Sequence, residues 1–317
     1  MILVTGGSGF IGSHLLEHLS ARGMPARALV RRKISLPPTT EAVHADLLAG
    51  TGLAEAVRGV HTIIHVAGVT KALHPNDYYA GNARATENLV RAAEPGTRFV
   101  LVSSLAAAGP SPDGRPATES GEPQPISHYG RSKLEAELIV RRYAPSAVIV
   151  RPPVVYGPRD KDVFRILKSV SKGMLVQISG GERWFSQIFV RDLVDGLLTA
   201  ATHSEAPGQT YFLAHAKPST WTEFGNTAAR VMRRRTRSLI VPVSLAFSVG
   251  YASEIWSRLT AKPGIISREK IREARPSHWI CDTSRASREI GFTASTSLEA
   301  GLAVTLAWYK EAGWLRY

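Results

Sequence analysis

The sequence predicts an α/β fold: a doubly wound parallel sheet over about the first half, then a smaller, mostly helical C-terminal part. Three observations predict it. Short β-branched runs alternate with helical patterns through the first 150 residues. A glycine-rich turn joins the first run to the first helical pattern. After residue 155 the alternation gives way to a less regular pattern in which helices dominate.

The apolar runs are Ile2–Val4, Ala28–Val30, Val43–His44, Thr62–Val66, Phe99–Ser103 and Val148–Val150. Helical patterns lie between them at Gly9–Arg22, Gly52–Arg58, Asn82–Ala93 and Gly130–Arg142. Leu15, Leu16 and Leu19 give the first helix one apolar face. Residues 110–125 carry Pro110, Pro112, Gly114, Pro116, Gly121, Pro123 and Pro125 and read as a loop. That loop is either a border of the active site or a plain surface connection. Leu298, Leu302, Leu306 and Tyr309 predict a last helix that packs on the core. We divide the chain into a dinucleotide-binding domain at 1–155 and a substrate-binding region at 156–317, with some segments of the latter returning to the sheet.

Composition is that of an ordinary globular protein, with 44% hydrophobic and 21% charged residues. The single cysteine, Cys281, excludes an intrachain disulfide and fits a reducing compartment. Met1 runs at once into Ile2-Leu3-Val4, which leaves no room for a secretory leader, and no apolar stretch is long enough for a membrane span. A cytoplasmic location is therefore expected.

The net charge is +13, with clusters at Arg31-Arg32-Lys33 and at Arg233, Arg234, Arg235 and Arg237. The second cluster reads either as a solvated basic face or as a site for a phosphate-rich ligand or anionic membrane. Nucleic acid is not expected, because neither cluster is interleaved with aromatics. The segment from Leu239 to Phe247 opens a long apolar stretch. Helical spacing then joins Leu245, Val249, Ala252, Trp256 and Leu259, with Pro242 suited to the helix start and Arg258 to its end. This helix is either core of the substrate region or the wall of an apolar pocket, with peripheral membrane contact as the sharper alternative.

Thr5-Gly6-Gly7-Ser8-Gly9-Phe10-Ile11-Gly12 follows the first strand and opens the first helix. Gly6 permits a tight turn, Gly9 lets backbone approach a pyrophosphate, and Gly12 permits close packing of helix on strand. The helix N-terminus adds N–H donors and a positive dipole end. Placed between strand and helix, this is a Rossmann dinucleotide-binding turn, with Gly6, Ser8, Gly9, Phe10 and Ile11 against the cofactor.

The end of the second strand selects the dinucleotide. A carboxylate there would hold the two ribose hydroxyls of NAD, but the chain has Val30-Arg31-Arg32-Lys33. A guanidinium pairs bidentately with a 2′-phosphate and stacks on adenine. NADP(H) is therefore the expected cofactor, with NAD(H) as the alternative. Asp46, followed by Leu47, either meets the adenine amino group or caps its own turn.

Tyr129-Gly130-Arg131-Ser132-Lys133 puts Tyr and Lys four residues apart, on one helical face. An ammonium beside a phenol favours phenolate, so Lys133 is expected to lower the pKa of Tyr129. A tyrosine so tuned exchanges a proton with a carbonyl or alcohol. Ser103-Ser104 ends the fifth strand, where an open parallel sheet presents its ligands.

The ordered set resembles the extended short-chain dehydrogenase/reductase family, also called the NAD-dependent epimerase/dehydratase family. Its parts are Thr5–Gly12, His65-Val66-Ala67-Gly68, Asn82, Ser103-Ser104, Tyr129–Lys133 and Arg151-Pro152-Pro153-Val154-Val155-Tyr156-Gly157-Pro158. Phe189-Val190-Arg191-Asp192-Leu193 resembles a later signature, and Trp279–Asp282 with Ile290-Gly291-Phe292 the C-terminal pattern. The resemblance spans nearly the whole chain. It implies Tyr129 as general acid/base, Lys133 on the nicotinamide ribose, Ser104 on the reacting oxygen, and Asn82 steadying the site. It also implies that Ala67, Gly68 and Ser103 line the cofactor cleft, with Pro152 and Val154 bordering the nicotinamide. On the substrate side it points to Ser104, Tyr156, Arg159, Trp184 and Phe185, with no metal.

The departures point to a branch. Dehydratases of the family follow the catalytic Ser/Thr with Asp-Glu, whereas Leu105-Ala106 stand here. Sugar-nucleotide enzymes carry a diphosphate-gripping arginine where this chain has Phe185; Arg183 or Arg159 would have to substitute. With Arg31, these departures resemble the dihydroflavonol reductase-like and 3β-hydroxysteroid dehydrogenase-like branch. The expected reaction is hydride transfer between NADP(H) and the carbonyl or alcohol of a small, apolar substrate. The alternatives are a nucleotide-sugar epimerase working through a transient keto intermediate and a non-catalytic NADP-binding regulator. A homodimer is implied by analogy alone.

Overall fold

A computed structural model describes residues 1–111, 113–245, 247–249, 251 and 268–317. In the first half it contains strands β1 (Ile2–Thr5), β2 (Ala26–Val30), β3 (Thr40–His44), β4 (Thr62–His65), β5 (Arg98–Val102), β6 (Val148–Val150) and β7 (Val154–Tyr156). The helices are α1 (Phe10–Ala21), α2 (Leu53–Val57), α3 (Pro75–Tyr79), α4 (Ala85–Ala92), α5 (Leu105–Ala108) and α6 (His128–Tyr143). All six predicted strands are present. The predicted helix at 82–93 is instead a π-helical turn over Ala80–Arg84 that runs into α4.

Beyond β7 come α7 (Asp162–Ser171), β8 (Met174–Ile178), β9 (Trp184–Phe185), β10 (Gln187–Phe189), α8 (Val190–Thr202), β11 (Thr210–Tyr211), β12 (Ser219–Thr220), α9 (Trp221–Val231), β13 (Arg237–Val241) and β14 (His278–Trp279). Further helices span Arg268–Ala274, Ser284–Ile290 and Leu298–Glu311.

The main sheet has seven parallel strands in the order β11-β6-β5-β4-β1-β2-β3. From β1 the chain moves outward through β2 and β3, then crosses to β4 on the other side. That reversal opens a crevice at the C-terminal ends of β1 and β4, where such sheets bind ligands. The strands read as continuous apolar runs because helices cover both faces. Leu15, Leu16 and Leu19 of α1 pack on one face with Leu193, Val194 and Leu197 of α8. Leu53, Leu89, Ala136 and Val140 pack on the other. The seventh strand, β11, comes from beyond residue 155 and pairs with β6.

A separate core in the second half joins Tyr156, Phe185, Phe189 and Phe224 to Leu302, Leu306 and Tyr309 of the C-terminal helix. The predicted packing of that helix is therefore observed. Asp192 of the later signature holds the fold together here. Its carboxylate accepts the Thr296 N–H at 2.9 Å and the Thr296 hydroxyl at 2.7 Å, tying α8 to the lead into this helix. Of the predicted helix through Leu245 and Leu259, Ala252, Trp256, Arg258 and Leu259 lie outside the described residues. Among the described residues no helix is long and apolar enough to cross a membrane.

Candidate active site

The crevice begins at the glycine turn. Gly6 has φ +72°, and a Cβ there would lie 2.7 Å from the Ala67 nitrogen. A Cβ on Gly12 would lie 2.2 Å from the Gly6 carbonyl oxygen, so only glycine lets α1 start this close to the turn. Gly9 is the N-cap of α1 and brings no capping side chain to the first-turn N–H groups. Such a terminus is suited to a phosphate. Ser8 and Gly9 are exposed, and Phe10 and Ile11 are half-buried behind them. These features fit a dinucleotide pyrophosphate.

At the tip of β2, Arg31 and Arg32 are exposed. The Asp46 carboxylate accepts the N–H groups of Leu48 at 2.8 Å and Ala49 at 3.0 Å. These bonds, together with the charge of Arg31, hold its carboxyl below the usual range. Of the two readings of Asp46, the structure displays the turn cap.

The loop after β4 is held by a buried polar chain. The Thr5 hydroxyl meets His65 Nδ1 at 2.6 Å, His65 Nε2 meets the Thr86 hydroxyl at 2.9 Å, and the Ala67 N–H donates to Thr5 Oγ1 at 3.1 Å. Burial, aided by the charge of Lys133, pulls the His65 pKa down to about 3, so the ring is neutral. Asn82, in the π-helical turn, clamps the next residues. It accepts the Val69 N–H at 2.7 Å and donates to the Val69 carbonyl at 3.0 Å and to Ser132 Oγ at 2.9 Å. A Cβ on Gly68 would meet Asn82 Oδ1 at 3.0 Å, which keeps Gly68 bare on the cleft wall.

Ser104 caps α5, accepting the Ala106 N–H at 3.1 Å, and its side chain hydrogen-bonds Tyr129. Gly130 makes this contact feasible. A Cβ there would lie 2.2 Å from the Ala106 carbonyl oxygen, so α6 can press against α5 only with glycine beside Tyr129. Ser127 starts α6 by accepting the Gly130 N–H at 3.0 Å. Lys133 sits one turn along, buried, with its Nζ donating to the Val102 carbonyl at 2.6 Å. Burial lowers its pKa to about 8.

The expectation that Lys133 lowers the pKa of Tyr129 is corrected. Burial raises the Tyr129 pKa and outweighs the opposing Ser104 hydrogen bond and Lys270 charge. Lys270 was invisible to the motifs. It lies on the Arg268–Ala274 helix, with Nζ 5.9 Å from the Tyr129 ring centroid and 2.8 Å from Glu273 Oε2. Its neighbour Glu269 accepts the His128 N–H at 2.9 Å. Burial pulls the Lys270 pKa down, but the Glu273 carboxylate more than offsets this and holds it above the usual value. Tyr78 closes another side, its ring edge-on to Tyr129 at 6.3 Å.

Ser103 is buried. Its hydroxyl donates to Glu137, whose carboxylate also takes a bidentate pair from Arg151 at 2.9 and 2.6 Å. This buried network ties α6 to the end of β6. Leu105 N–H donates to the Pro152 carbonyl at 2.8 Å, and Val154 is exposed. The proline-rich loop is stitched to the second half, with Ser111 bonded to the backbone of His278 and Ile280.

On the substrate side two expectations, Tyr156 and Phe185, are corrected. Tyr156 is fully enclosed by Phe189 and Phe224, and a Cβ on Gly301 would strike its hydroxyl; it is core. Phe185 is buried against Trp221 and Phe224. Arg159 pairs with Glu17 of α1, in a depression lined also by His14, His18, Arg191 and Trp308. Trp184, next to Phe185, is exposed. Among the described residues no group of three or more His, Cys, Asp or Glu could hold a metal ion.

The profile of the NAD dependent epimerase/dehydratase family matches residues 2–214. The ceramide reductase of Caulobacter vibrioides (strain NA1000 / CB15N) is 32% identical, over 99% of this chain and 96% of that protein. The N-acetyl-alpha-D-glucosaminyl-diphospho-ditrans,octacis-undecaprenol 4-epimerase of Escherichia coli O157:H7 is 25% identical, over 96% of this chain and 94% of its own. Among solved structures, that of gox2253 superposes with a TM-score of 0.82 at 25% identity, over 100% of this chain and 99% of that one. With the glycine turn, Ser104, Tyr129 and Lys133 gathered in one crevice, the chain belongs to the NAD-dependent epimerase/dehydratase family, the extended short-chain dehydrogenases/reductases, and is an enzyme of that family.

Proposed function

We propose that the protein is an NADP(H)-dependent reductase of an apolar, lipid-like carbonyl compound. The observation that carries this reading is the fate of two arginines. Arg159 and Arg183 are the residues that would replace the missing diphosphate grip, and both are committed elsewhere. Arg159 is held by Glu17. Arg183 donates to the carbonyls of Ala274 at 2.9 Å, Ile178 at 2.6 Å, Gly181 at 3.0 Å and Ser179 at 3.0 Å. A buried nucleotide diphosphate would lack its charge partner. The ceramide reductase relative, whose named substrate is a lipid, supports the same direction.

The dinucleotide, when bound, supplies a hydride to the carbonyl carbon. Ser104 holds the carbonyl oxygen by a hydrogen bond. Tyr129 gives that oxygen its phenolic proton, so the C=O π bond breaks as a C–H and an O–H bond form. A proton from solvent then restores the phenol. Tyr129 is a protonated phenol at neutral pH, the form the reductive direction needs, although burial makes it a weaker acid. The Ser104 hydrogen bond and the charge of Lys270 favour the phenolate left behind. Lys133 would hold the nicotinamide ribose, and Arg31 and Arg32 the 2′-phosphate.

A panel of long-chain and polycyclic ketones, followed by NADPH absorbance beside UDP-sugars, tests the reaction. One NADPH consumed per carbonyl supports it; interconversion of UDP-sugars without net consumption favours the epimerase. Calorimetry tests the cofactor. A charge-assisted contact contributes about 1.5–3 kcal/mol, so NADPH should bind roughly ten- to a hundredfold tighter than NADH. Arg31→Ala with Arg32→Ala should erase the difference.

A further inference from the structure

β8 and β13 form a two-stranded sheet separate from the main sheet. The strands pair in parallel, placing Val176 beside Leu239 and Met174 beside Arg237 on one face. Met174, Val176 and Leu239 are all exposed on that face, and Ile240 on the open edge is 63% exposed. Leu245 and Val249, four residues apart just beyond the strand, are exposed as well. Met174, Val176 and Leu239 cluster on one face, and such a cluster of large apolar side chains marks an interaction surface rather than scattered surface apolarity.

The chain segments that carry these strands are basic between the acids Asp162 and Glu182 and from residue 232 up to Glu254. Residues 232–253 contain Arg233, Arg234, Arg235 and Arg237 and no acid, and residues 163–181 contain Arg165, Lys168 and Lys172 and no acid. Arg233, Arg234, Arg235 and Arg237 are all exposed, and none is ion-paired among the described residues. Arg237 lies on the apolar face itself, in register with Met174.

We propose that this face docks on the surface of an anionic lipid bilayer. The apolar side chains would enter the headgroup boundary while the arginines meet lipid phosphates. A second copy of this chain is the less suitable occupant, because the same uncompensated cations would face one another across the contact. The proposal goes beyond the reaction assigned above and does not depend on it, since its test reads binding and not turnover.

The test is co-sedimentation of the intact protein with phosphatidylcholine vesicles and with vesicles containing phosphatidylglycerol, at low and high salt. Two variants accompany it: Leu239→Glu with Val176→Glu, and Arg233→Gln with Arg234→Gln and Arg235→Gln. All these positions are exposed, and thermal melts check that the fold persists. The expected result is salt-sensitive binding to the anionic vesicles alone. It should fall by about fivefold for each arginine removed and be abolished by the glutamate pair. Absence of anionic-vesicle binding at low salt overturns the proposal. So does unchanged binding in the glutamate variant, or a dimer in analytical ultracentrifugation that the glutamate pair dissolves while vesicles bind nothing.

Discussion

The ammonium of Lys270 lies 5.9 Å from the ring centroid of Tyr129, across 141 positions of sequence. Among the described residues, Ser104, Tyr78 and Glu273 also act on that phenol, and Lys133 follows it one turn along α6. Among the described residues, Lys270 is the cation whose charge lowers the pKa of that phenol. Lys270→Met should therefore move the Tyr129 limb of the kcat profile for alcohol oxidation to higher pH, and Lys270→Arg should restore it. An unchanged profile in Lys270→Met, with the rate merely scaled, would assign Lys270 to packing alone.

Gly130 fixes how near Tyr129 comes to Ser104. Gly130→Ala places a Cβ 2.2 Å from the Ala106 oxygen and 3.1 Å from Pro125 Cβ. Overpacking of this kind costs about 1–3 kcal/mol. Denaturant unfolding should register that loss, and turnover should fall further than stability because α6 must shift away from α5. A variant that melts and turns over like the parent would contradict the close packing.

The Glu137–Arg151 pair is buried on both sides, with Ser103 as its third member. Removing one partner leaves a buried charge alone, at about 3–5 kcal/mol. Glu137→Ala should approach that loss, whereas Glu137→Met with Arg151→Met should recover much of it. A double-mutant cycle with no coupling would show that the two residues act independently.

Stability should depend on pH through His65. Its folded pKa, about 3, lies below the ordinary histidine value of 6.5. The unfolded chain thus binds the extra proton between these values, so stability is full above about pH 6.5 and falls as pH drops toward 3. The slope from one such residue is at most about 1.4 kcal/mol per pH unit. His65→Gln should flatten the slope even if it lowers the plateau. His14, His18 and His61 are also lowered and keep their own contributions in both proteins. Equal slopes would remove His65 as the source.

The cofactor half was legible because its signals are local. Strand, glycine turn and helix follow one another from Ile2 to Ala21, and Tyr129 and Lys133 share one helix. The substrate half was less so. Tyr156 stands inside a motif that the family resemblance places beside the nicotinamide, yet it is buried by Phe189, Phe224 and Gly301, all distant in sequence. Arg183 and Arg159 look available as free cations, and only the folded chain brings them their carbonyl and carboxylate partners. Lys270 and Glu269 reach α6 from a helix that carries no motif, and no periodicity predicts that contact. The sheet of β8 and β13 was hidden for the same reason: parallel pairing of distant strands leaves no local trace.

In the proposed NADPH-dependent reduction, Tyr129 delivers the proton. The most direct test compares the parent with Tyr129→Phe on an apolar ketone that turns over, reading NADPH oxidation and NADPH affinity in the same preparation. The ring stays and only the hydroxyl is lost, so affinity and fold should hold while the rate falls by about 10²–10⁴. A Tyr129→Phe enzyme that binds NADPH and reduces the ketone at the parental rate would contradict the assignment.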